Sequence, residues 1–244
     1  MNAADTGQTK RVSVWSGPRN VSTALMYAFR SRPDTMVVDE PLYGHYLKLT
    51  GAPHPGLGEV LMHLETDSER AVHDTLLGRY TKPVVMFKNM AHHLVGLERN
   101  FLADLTNVLL TRDPEEMLPS LAEKIPEPTL CDTGLEEQLE ILETVQASGQ
   151  KPIVIDARRL LENPERVLRA LCEALELPFE PAMLSWPKGP KPEDGVWAKY
   201  WYENVHTSTG FAPYRPKTDP FPEPLKPLLT VCAPLYGQLK SHAL

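Results

Sequence analysis

Short runs of consecutive apolar residues alternate along the chain with segments in which apolar residues recur every third or fourth position. A short uninterrupted apolar run is typical of a strand buried on both faces, whereas the wider recurrence is typical of an amphipathic helix. Five runs are predicted as strands: Val12–Trp15, Met36–Val38, Val84–Phe87, Asn107–Thr111 and Ile153–Ile155. Because helical segments separate them, the pattern predicts an α/β fold, with a parallel five-stranded sheet flanked by helices.

The first predicted strand is followed by a polar loop and then by a helical pattern. The stretch 11–29 reads RVSVW, then SGPRNVST, then ALMYAF. Ser22 and Thr23 stand where the N-terminus of a helix favours hydroxyl side chains. Backbone N–H groups at such a helix start favour a phosphate or a sulfate, and Arg19 adds a full positive charge there. The loop is therefore predicted to bind an anionic group.

Charged residues follow the other predicted strands as well. In an open parallel sheet, ligands bind outside the carboxyl ends of the strands, so these residues are expected to lie along one edge. They are Asp39 and Glu40 after the second strand, Lys88, His92 and His93 after the third, Arg112 after the fourth and Asp156 after the fifth. This set of cations and acids indicates a site for an anionic ligand, with an acid or base group beside it.

Composition and charge narrow the class of protein. The 244 residues suffice for one sizeable α/β domain, which we predict over 11–244 behind a flexible polar tail, 1–10. A net charge of −7 argues against general nucleic-acid binding and against a basic membrane face. No apolar run approaches the roughly 20 residues that span a membrane, so we expect a cytoplasmic protein. The three cysteines lack metal-binding spacing, and the sequence leaves open a homo-oligomer.

Several segments resemble, in the expected order, the sulfotransferase family, which uses 3′-phosphoadenosine 5′-phosphosulfate as its sulfuryl donor. SGPRNVSTA resembles the 5′-phosphosulfate loop, whose usual form is Pro-Lys/Arg-Ser-Gly-Thr-Thr. LLTRDPEEMLPSLAEK resembles the 3′-phosphate motif, with Arg112 followed eight residues later by Ser120. VIDARRLLENPERV resembles the family's Tyr-Glu-Asp-Leu…Asn-Pro segment. The resemblance covers roughly residues 11–190 and implies a P-loop-like sulfotransferase architecture.

The resemblance implies a set of donor-binding residues. They are Pro18, Arg19, Asn20, Val21, Ser22, Thr23, Arg112, Ser120, Lys188 and Gly189. Arg19 takes the basic position that holds the bridging and leaving oxygens. Val21 stands where the family has glycine, and a β-branched residue adopts a positive φ with difficulty, so we expect a locally different loop path.

The resemblance also implies catalytic candidates, which are Arg19, Glu40, Lys88, His92 and His93. Lys88 aligns with the family's Lys-Thr-His segment, although Met90 stands at the histidine position. Family members use either a histidine or a glutamate as the base, so Glu40, His92 and His93 all remain candidates. An aromatic group, Trp197, Tyr200, Trp201 and Tyr202, fits the core better than a ligand stack, with one of them near the adenine or the acceptor as the alternative.

The implied function is transfer of a sulfuryl group to a hydroxyl or amine of a small-molecule acceptor, with no metal required. A P-loop kinase or nucleoside-triphosphate hydrolase is the alternative enzyme, because PIVID and LLTRD end in acids, Asp156 and Asp113, like Walker B strands. The loop, however, lacks the Gly-Lys-Ser/Thr ending of a P-loop. A non-catalytic nucleotide-binding relative is the third hypothesis. Acceptor contacts are expected from loops within 40–80 and 190–215, and the sequence does not identify the acceptor.

Overall fold

A twisted parallel sheet forms the centre of the computed structural model, which describes residues 9–244. The strands are β1 (Lys10–Ser16), β2 (Thr35–Asp39), β3 (Val84–Met90), β4 (Thr106–Thr111) and β5 (Ile153–Asp156). All neighbouring strands pair in parallel, in the order β2-β3-β1-β4-β5. The predicted fold class is confirmed, and each strand contains its predicted apolar run.

Helices cover both faces of the sheet and its carboxyl edge. They are α1 (Ser22–Arg30), α2 (Tyr43–Thr50), α3 (Leu57–His63), α4 (Ser68–Arg70), α5 (Pro114–Ala122), α6 (Leu130–Thr133), α7 (Leu135–Ala147), α8 (Ala157–Glu162), α9 (Pro164–Ala174), α10 (Ala198–Trp201), α11 (Glu203–Thr207) and α12 (Lys226–Lys240). A π-helical turn spans Ala71–Leu76, and 3₁₀ turns span Ala91–Leu94, Asn100–Asp104, Pro181–Leu184 and Glu223–Leu225.

Two hydrophobic clusters lie on opposite faces of the sheet. Val12 and Val14 of β1 face the first cluster, where side chains of α1 and α9 pack against them. Trp15 of the same strand faces the second cluster, which α5, α7 and α12 cover. Because both faces of the sheet are buried, apolar residues occupy consecutive strand positions instead of alternating with polar ones. This is the physical reason that the runs were recognisable in the sequence.

A third, smaller hydrophobic cluster joins α2, α3 and α10 beyond the carboxyl end of β2. Its buried members are Leu47, Val60, Trp197, Ala198 and Tyr202. The segments expected to supply acceptor loops therefore contain helices that share a core. Lys10, the last residue of the predicted tail, is the first residue of β1, whereas residues 1–8 lie outside the described part. Within residues 9–244, no helix combines the length and the apolar character needed to cross a membrane.

Candidate functional site

The loop between β1 and α1 has a strained backbone. Arg19 and Val21 have φ angles of 62° and 61°, in the left-handed region that non-glycine residues rarely adopt. Val21 thus adopts the positive φ angle that glycine would favour. This φ angle gives no sign of the different loop path that was expected for a β-branched residue at this position. A residue held in this region costs on the order of 1–3 kcal/mol, and such residues concentrate at functional sites.

Neighbouring elements fix the path of this loop. A Cβ atom at Gly17 would lie 2.3 Å from the carbonyl oxygen of Thr133, so only glycine lets the loop pass α6 at this distance. The side chain of Asn20 is buried, and its amide donates to the carbonyl oxygen of Leu110 in β4 at 3.1 Å. The half-buried Pro18 lies between these two anchors. The loop is consequently held between β4 and the turn after α6.

The N-terminus of α1 has no side-chain cap. Val21 is the N-cap residue, and Ser22 and Thr23 occupy the first two helical positions instead of the cap itself. The first backbone N–H groups of a helix have no partner within the helix, and the first turn here contains no acidic residue. Amide donors and the positive end of the helix dipole are thus available for an anion.

Three predicted donor-site residues converge beside this helix end. The guanidinium of Arg19 donates from Nε to Ser120 Oγ at 2.9 Å. Arg112 donates from Nη1 to the carbonyl oxygen of Arg19 at 2.6 Å. Ser120 and Arg112 are 101 and 93 positions from Arg19 in the chain, so the fold brings together residues that are far apart in sequence.

Glu116, which the sequence did not indicate, organises the cations of this region. Its carboxylate accepts from Arg158 at 2.6 Å and from the Tyr214 hydroxyl at 2.8 Å, and lies 3.5 Å from Arg112 Nε. Burial raises the pKa of Glu116, but the bonds from Tyr214 and Arg158 outweigh it and hold that pKa below its usual value. A charged Glu116 therefore fixes Arg112 next to the loop.

A second polar cluster lies at the carboxyl ends of β2 and β3. Lys88 is fully buried and donates to Asp39 Oδ1 at 2.9 Å, to Glu40 Oε1, and to the Tyr202 hydroxyl at 2.7 Å. Tyr202 donates in turn to Asp39 Oδ2 at 2.8 Å. Burial alone would lower the pKa of Lys88, but Asp39 and Glu40 raise it above its ordinary value. The lysine is therefore charged and is paired with two carboxylates.

Glu40 combines a strained backbone with a buried carboxyl group. Its φ angle is 42°, and its amide donates to the carbonyl oxygen of Lys88 at 2.8 Å. One carboxyl oxygen bonds Lys88, and the other lies 4.0 Å from His93 Nδ1. Burial and the neighbouring Asp39 raise the pKa of Glu40 above its ordinary value, although Lys88 opposes them. A raised carboxyl pKa improves a general base.

His92 and His93 follow β3 in the turn Ala91–Leu94 and lie among aromatic rings. The His93 ring packs on Tyr43 and Tyr46, with both centroid distances at 4.7 Å. Burial lowers the pKa of His92 to about 4, and burial together with the nearby His92 and Lys88 lowers the pKa of His93 well below its usual value. Both rings are neutral at pH 7 and are weak bases.

Lys188 and Gly189 lie in a loop that is bonded to α11 and to the C-terminal half of α1. Lys188 is exposed, and Gly189 donates its amide to the carbonyl oxygen of His206 at 2.7 Å. Asp194 anchors this loop by accepting from the Tyr27 hydroxyl, on the C-terminal half of α1, at 2.7 Å. These contacts attach the loop to α11 and α1, and the donor-site role of Lys188 and Gly189 stays a prediction.

The four aromatic residues singled out in the sequence differ in their burial. Trp197 and Tyr202 are buried, as expected for core residues, yet Tyr202 also bonds the Lys88 cluster. Trp201 and Tyr200 are only partly buried and contact His54. Across residues 9–244, no group of three or more His, Cys, Asp or Glu side chains is arranged to hold a metal ion.

Comparison with known proteins assigns almost the whole chain to one family. The family described as "Sulfotransferase domain" matches residues 10–243. The chain is 43% identical over 229 residues to branched-chain-amino-acid aminotransferase-like protein 1 of Arabidopsis thaliana. It is 40% identical over 232 residues to branched-chain-amino-acid aminotransferase-like protein 2 of the same organism. These matches cover 93% and 95% of the chain but only 41% of either relative. The chain thus spans about two fifths of the length of these curated relatives.

A solved structure supports the same fold. The sulfotransferase domain from the curacin biosynthetic pathway superposes with a TM-score of 0.51 at 15% identity, covering 92% of this chain and 97% of that domain. At this identity the likeness concerns the fold alone.

Proposed function

The chain belongs to the sulfotransferase family, and on that premise we propose that it transfers a sulfuryl group from 3′-phosphoadenosine 5′-phosphosulfate to a hydroxyl or amine of a small-molecule acceptor. The observation that carries this proposal is the meeting of Arg19, Arg112 and Ser120 at the uncapped N-terminus of α1. Two guanidinium groups, a hydroxyl and free backbone amides form a donor set suited to the phosphate and sulfate groups of such a nucleotide.

The chemistry of the donor set fits the nucleotide at both of its anionic ends. The amides at the start of α1 and the guanidinium of Arg19 would hold the 5′-phosphosulfate, and Arg112 with Ser120 would hold the 3′-phosphate. The bound donor supplies the sulfuryl group and a phosphate leaving group. Sulfuryl transfer resembles phosphoryl transfer, in which positioning and charge stabilisation dominate. Arg19 suits the leaving oxygen because a guanidinium stays charged and binds two oxygens at once.

We propose that the Glu40 carboxylate is the base that takes the proton from the hydroxyl or amine of the acceptor. Burial raises the pKa of its carboxyl, whereas burial lowers the pKa values of His92 and His93. Base strength near the working pH favours proton transfer, so the carboxylate is the better candidate. Lys88, which is charged and bonded to Glu40, would stabilise the ionised form that accepts the proton.

A magnesium-dependent kinase is disfavoured by the roles of its two candidate metal ligands. Asp113 accepts from the Glu115 amide at 3.0 Å and caps α5, and Asp156 accepts from the Arg159 amide at 3.0 Å and caps α8. Asp156 also accepts from the Tyr236 hydroxyl at 2.7 Å. Both carboxylates therefore serve helix ends in place of a metal ion.

The proposal is tested by incubating the protein and the donor with panels of phenols, alcohols and amines. Chromatography then measures how much adenosine 3′,5′-bisphosphate is released with each acceptor. We expect acceptor-dependent release by the wild-type protein, and strongly reduced release by Arg19→Ala. A protein that binds the bisphosphate yet releases none with any acceptor class would instead be a non-catalytic relative.

A further inference from the structure

The hydroxyl of Tyr202 lies at the centre of the buried cluster at the carboxyl ends of β2 and β3. It donates to the carboxylate of Asp39, 2.8 Å from Oδ2 and 2.9 Å from Oδ1. It accepts from Lys88 Nζ at 2.7 Å and from Trp197 Nε1 at 3.3 Å. A phenolic hydroxyl has a single proton to donate, and its oxygen accepts few bonds, so these partners use its capacity. Tyr202 therefore acts on its neighbours and not on a substrate.

The ammonium group of Lys88 is used in the same way. It donates to Asp39 Oδ1, to Glu40 Oε1 and to the Tyr202 hydroxyl. An ammonium group has three donors, so each of them has a partner within the cluster. Lys88 thus holds two carboxyl groups and a phenol in one arrangement.

Tyr202 reaches this cluster from a segment that Asp39 anchors at two points. The amide of Gly195, at the start of the segment, donates to Asp39 Oδ2 at 3.2 Å, and the Tyr202 hydroxyl binds the same carboxylate at its end. Between them, Trp197 is buried in the third hydrophobic cluster. The position of Lys88 Nζ, and with it the direction of the Glu40 carboxyl, therefore depends on a residue 114 positions further along the chain.

We propose that Tyr202 is a positioning residue for the reaction, whose hydroxyl holds Lys88 and Asp39 so that Glu40 is bonded through Oε1 and presents Oε2 to the acceptor. This inference rests on the proposed function, because it takes Glu40 to be the base. The Nδ1 atom of His93 lies 4.0 Å from Oε2 and has no hydrogen-bond partner among residues 9–244. One acceptor oxygen would thus have two polar atoms to contact there.

The titratable groups that face Glu40 come from each element packed against it. They are Asp39 of β2, Lys88 of β3, His93 of the turn after β3, Tyr43 of α2 and Tyr202. Burial lowers the pKa of His93 and raises the pKa of Tyr43, so both are neutral near pH 7. Lys88 and Asp39 are thus the charged neighbours of Glu40.

The sign of the effect of Tyr202 on Glu40 follows from these charges. Burial raises the pKa of Glu40, whereas Lys88 and Tyr202 are among the groups that lower it. Without the hydroxyl, Asp39 loses a donor and draws Lys88 away from Glu40, and its own charge repels Glu40 more strongly. The pKa of Glu40 should therefore be higher in Tyr202→Phe than in the wild type.

Release of adenosine 3′,5′-bisphosphate as a function of pH, with the best acceptor of the panel, tests the inference in Tyr202→Phe. This variant keeps the ring over which Lys88 lies, 5.1 Å from its centroid, and removes the hydroxyl. Turnover at neutral pH is expected to fall about ten-fold, with the KM for the donor changed by less than about two-fold, because a displaced base affects the chemical step. The acid limb of turnover should move to higher pH by about 0.5–1 unit.

Tyr236→Phe is the matched control. Tyr236 is also a buried tyrosine whose hydroxyl donates to a carboxylate at the end of a strand, Asp156 Oδ2 of β5, at 2.7 Å. Because β5 lies at the opposite edge of the sheet from β2, the control loses the same kind of bond far from Glu40. Urea unfolding should show a similar loss of stability in both variants, but the acid limb of the control should not move. A purely structural role of Tyr202 would give the result of the control.

The double variant of Tyr202→Phe with Glu40→Gln shows whether Tyr202 acts through Glu40. With the base already removed, loss of the hydroxyl should lower the residual turnover by less than about two-fold. A loss as large as in the wild-type background would overturn the inference.

Carbon-13 NMR titration of the glutamate carboxyl groups gives a readout that does not depend on turnover. The signal of Glu40 is identified by its absence in Glu40→Gln. Its midpoint is expected at higher pH in Tyr202→Phe than in the wild type, and unchanged in Tyr236→Phe. No turnover by the wild type with any acceptor would overturn the proposed function. Normal turnover by the wild type, with the Glu40 midpoint unmoved in Tyr202→Phe, would overturn the role of Tyr202 alone.

Discussion

Replacing Lys88 by methionine probes the buried charge cluster of Asp39, Glu40 and Lys88. The side chains of Lys88, Asp39 and Glu40 are 2%, 1% and 9% exposed, so water screens their charges poorly. Methionine approximates the length of lysine without its charge. The change therefore removes the cation while leaving two carboxyl groups buried next to each other.

The expected loss of unfolding free energy is about 3–5 kcal/mol at neutral pH, the usual cost of removing one partner from a buried ion pair. Asp39 would keep the Tyr202 hydroxyl at 2.8 Å and the Gly195 amide at 3.2 Å. Glu40 would lose its bond to Lys88, so most of the loss should come from Glu40. Adding Glu40→Gln to Lys88→Met should therefore recover part of the stability, because the charge left in the cluster is then that of Asp39, which keeps the Tyr202 and Gly195 donors.

Urea unfolding at about pH 5.5 and about pH 8 measures this effect and its sign. Without Lys88, the pKa of the Glu40 carboxyl, which burial already raises, should lie further above its unfolded value. A carboxyl of that kind contributes stability at low pH that is lost as the pH rises. The deficit of Lys88→Met relative to wild type is therefore expected to be smaller at the lower pH.

Lys199→Met is the control, because Lys199 forms an exposed ion pair with Glu59. Removing a surface partner should leave the unfolding free energy nearly unchanged. If Lys88→Met were as mild as this control, or if its deficit were the same at both pH values, the buried ion cluster would not have the energetic role assigned to it.

Three further variants address the donor and the base. Arg112→Ala should weaken adenosine 3′,5′-bisphosphate about ten- to a hundred-fold more than adenosine 5′-monophosphate, and equal losses by calorimetry would remove its 3′-phosphate role. Arg19→Ala should lower turnover more than affinity for the bisphosphate product, because charge on the leaving oxygen grows in the transition state; similar losses would indicate uniform binding. Glu40→Gln should lower turnover by roughly 10²–10⁴ with little change in nucleotide affinity. In the wild type, activity should fall as the pH drops through the pKa of Glu40, which lies above the ordinary glutamate value of about 4.3. Near-normal turnover of Glu40→Gln would show that Glu40 is not the base and would return His92 and His93 to consideration.

The sheet was predictable because each buried strand is encoded by residues that are consecutive in the sequence. A strand buried on both faces needs apolar side chains at consecutive positions, and β1 and β3 satisfy this requirement within a few residues. The start of α5 carries a local signal of the same kind, since Asp113 caps the helix and Pro114 occupies its first position. Parallel topology then places the carboxyl ends on one edge, which is why Arg19 and Arg112 could be expected to meet.

The contacts that hold the site together were not predictable, because they join residues far apart in sequence. Glu116 and Tyr214 are 98 positions apart, and Lys88 and Tyr202 are 114 apart. No periodicity or spacing encodes such pairs. Asp39 was noticed as an acid at a strand end, but its pairing with Lys88 depends on the register of β2 and β3, which aligns the two residues.

Calorimetric titration of adenosine 3′,5′-bisphosphate and ATP, each with and without magnesium, distinguishes a sulfotransferase from a kinase in a single series. The convergence of Arg19, Arg112 and Ser120, with Asp113 and Asp156 committed to helix caps, predicts bisphosphate binding that is tighter than ATP binding and that needs no magnesium. Magnesium-dependent binding of ATP with no binding of the bisphosphate would contradict the proposed function.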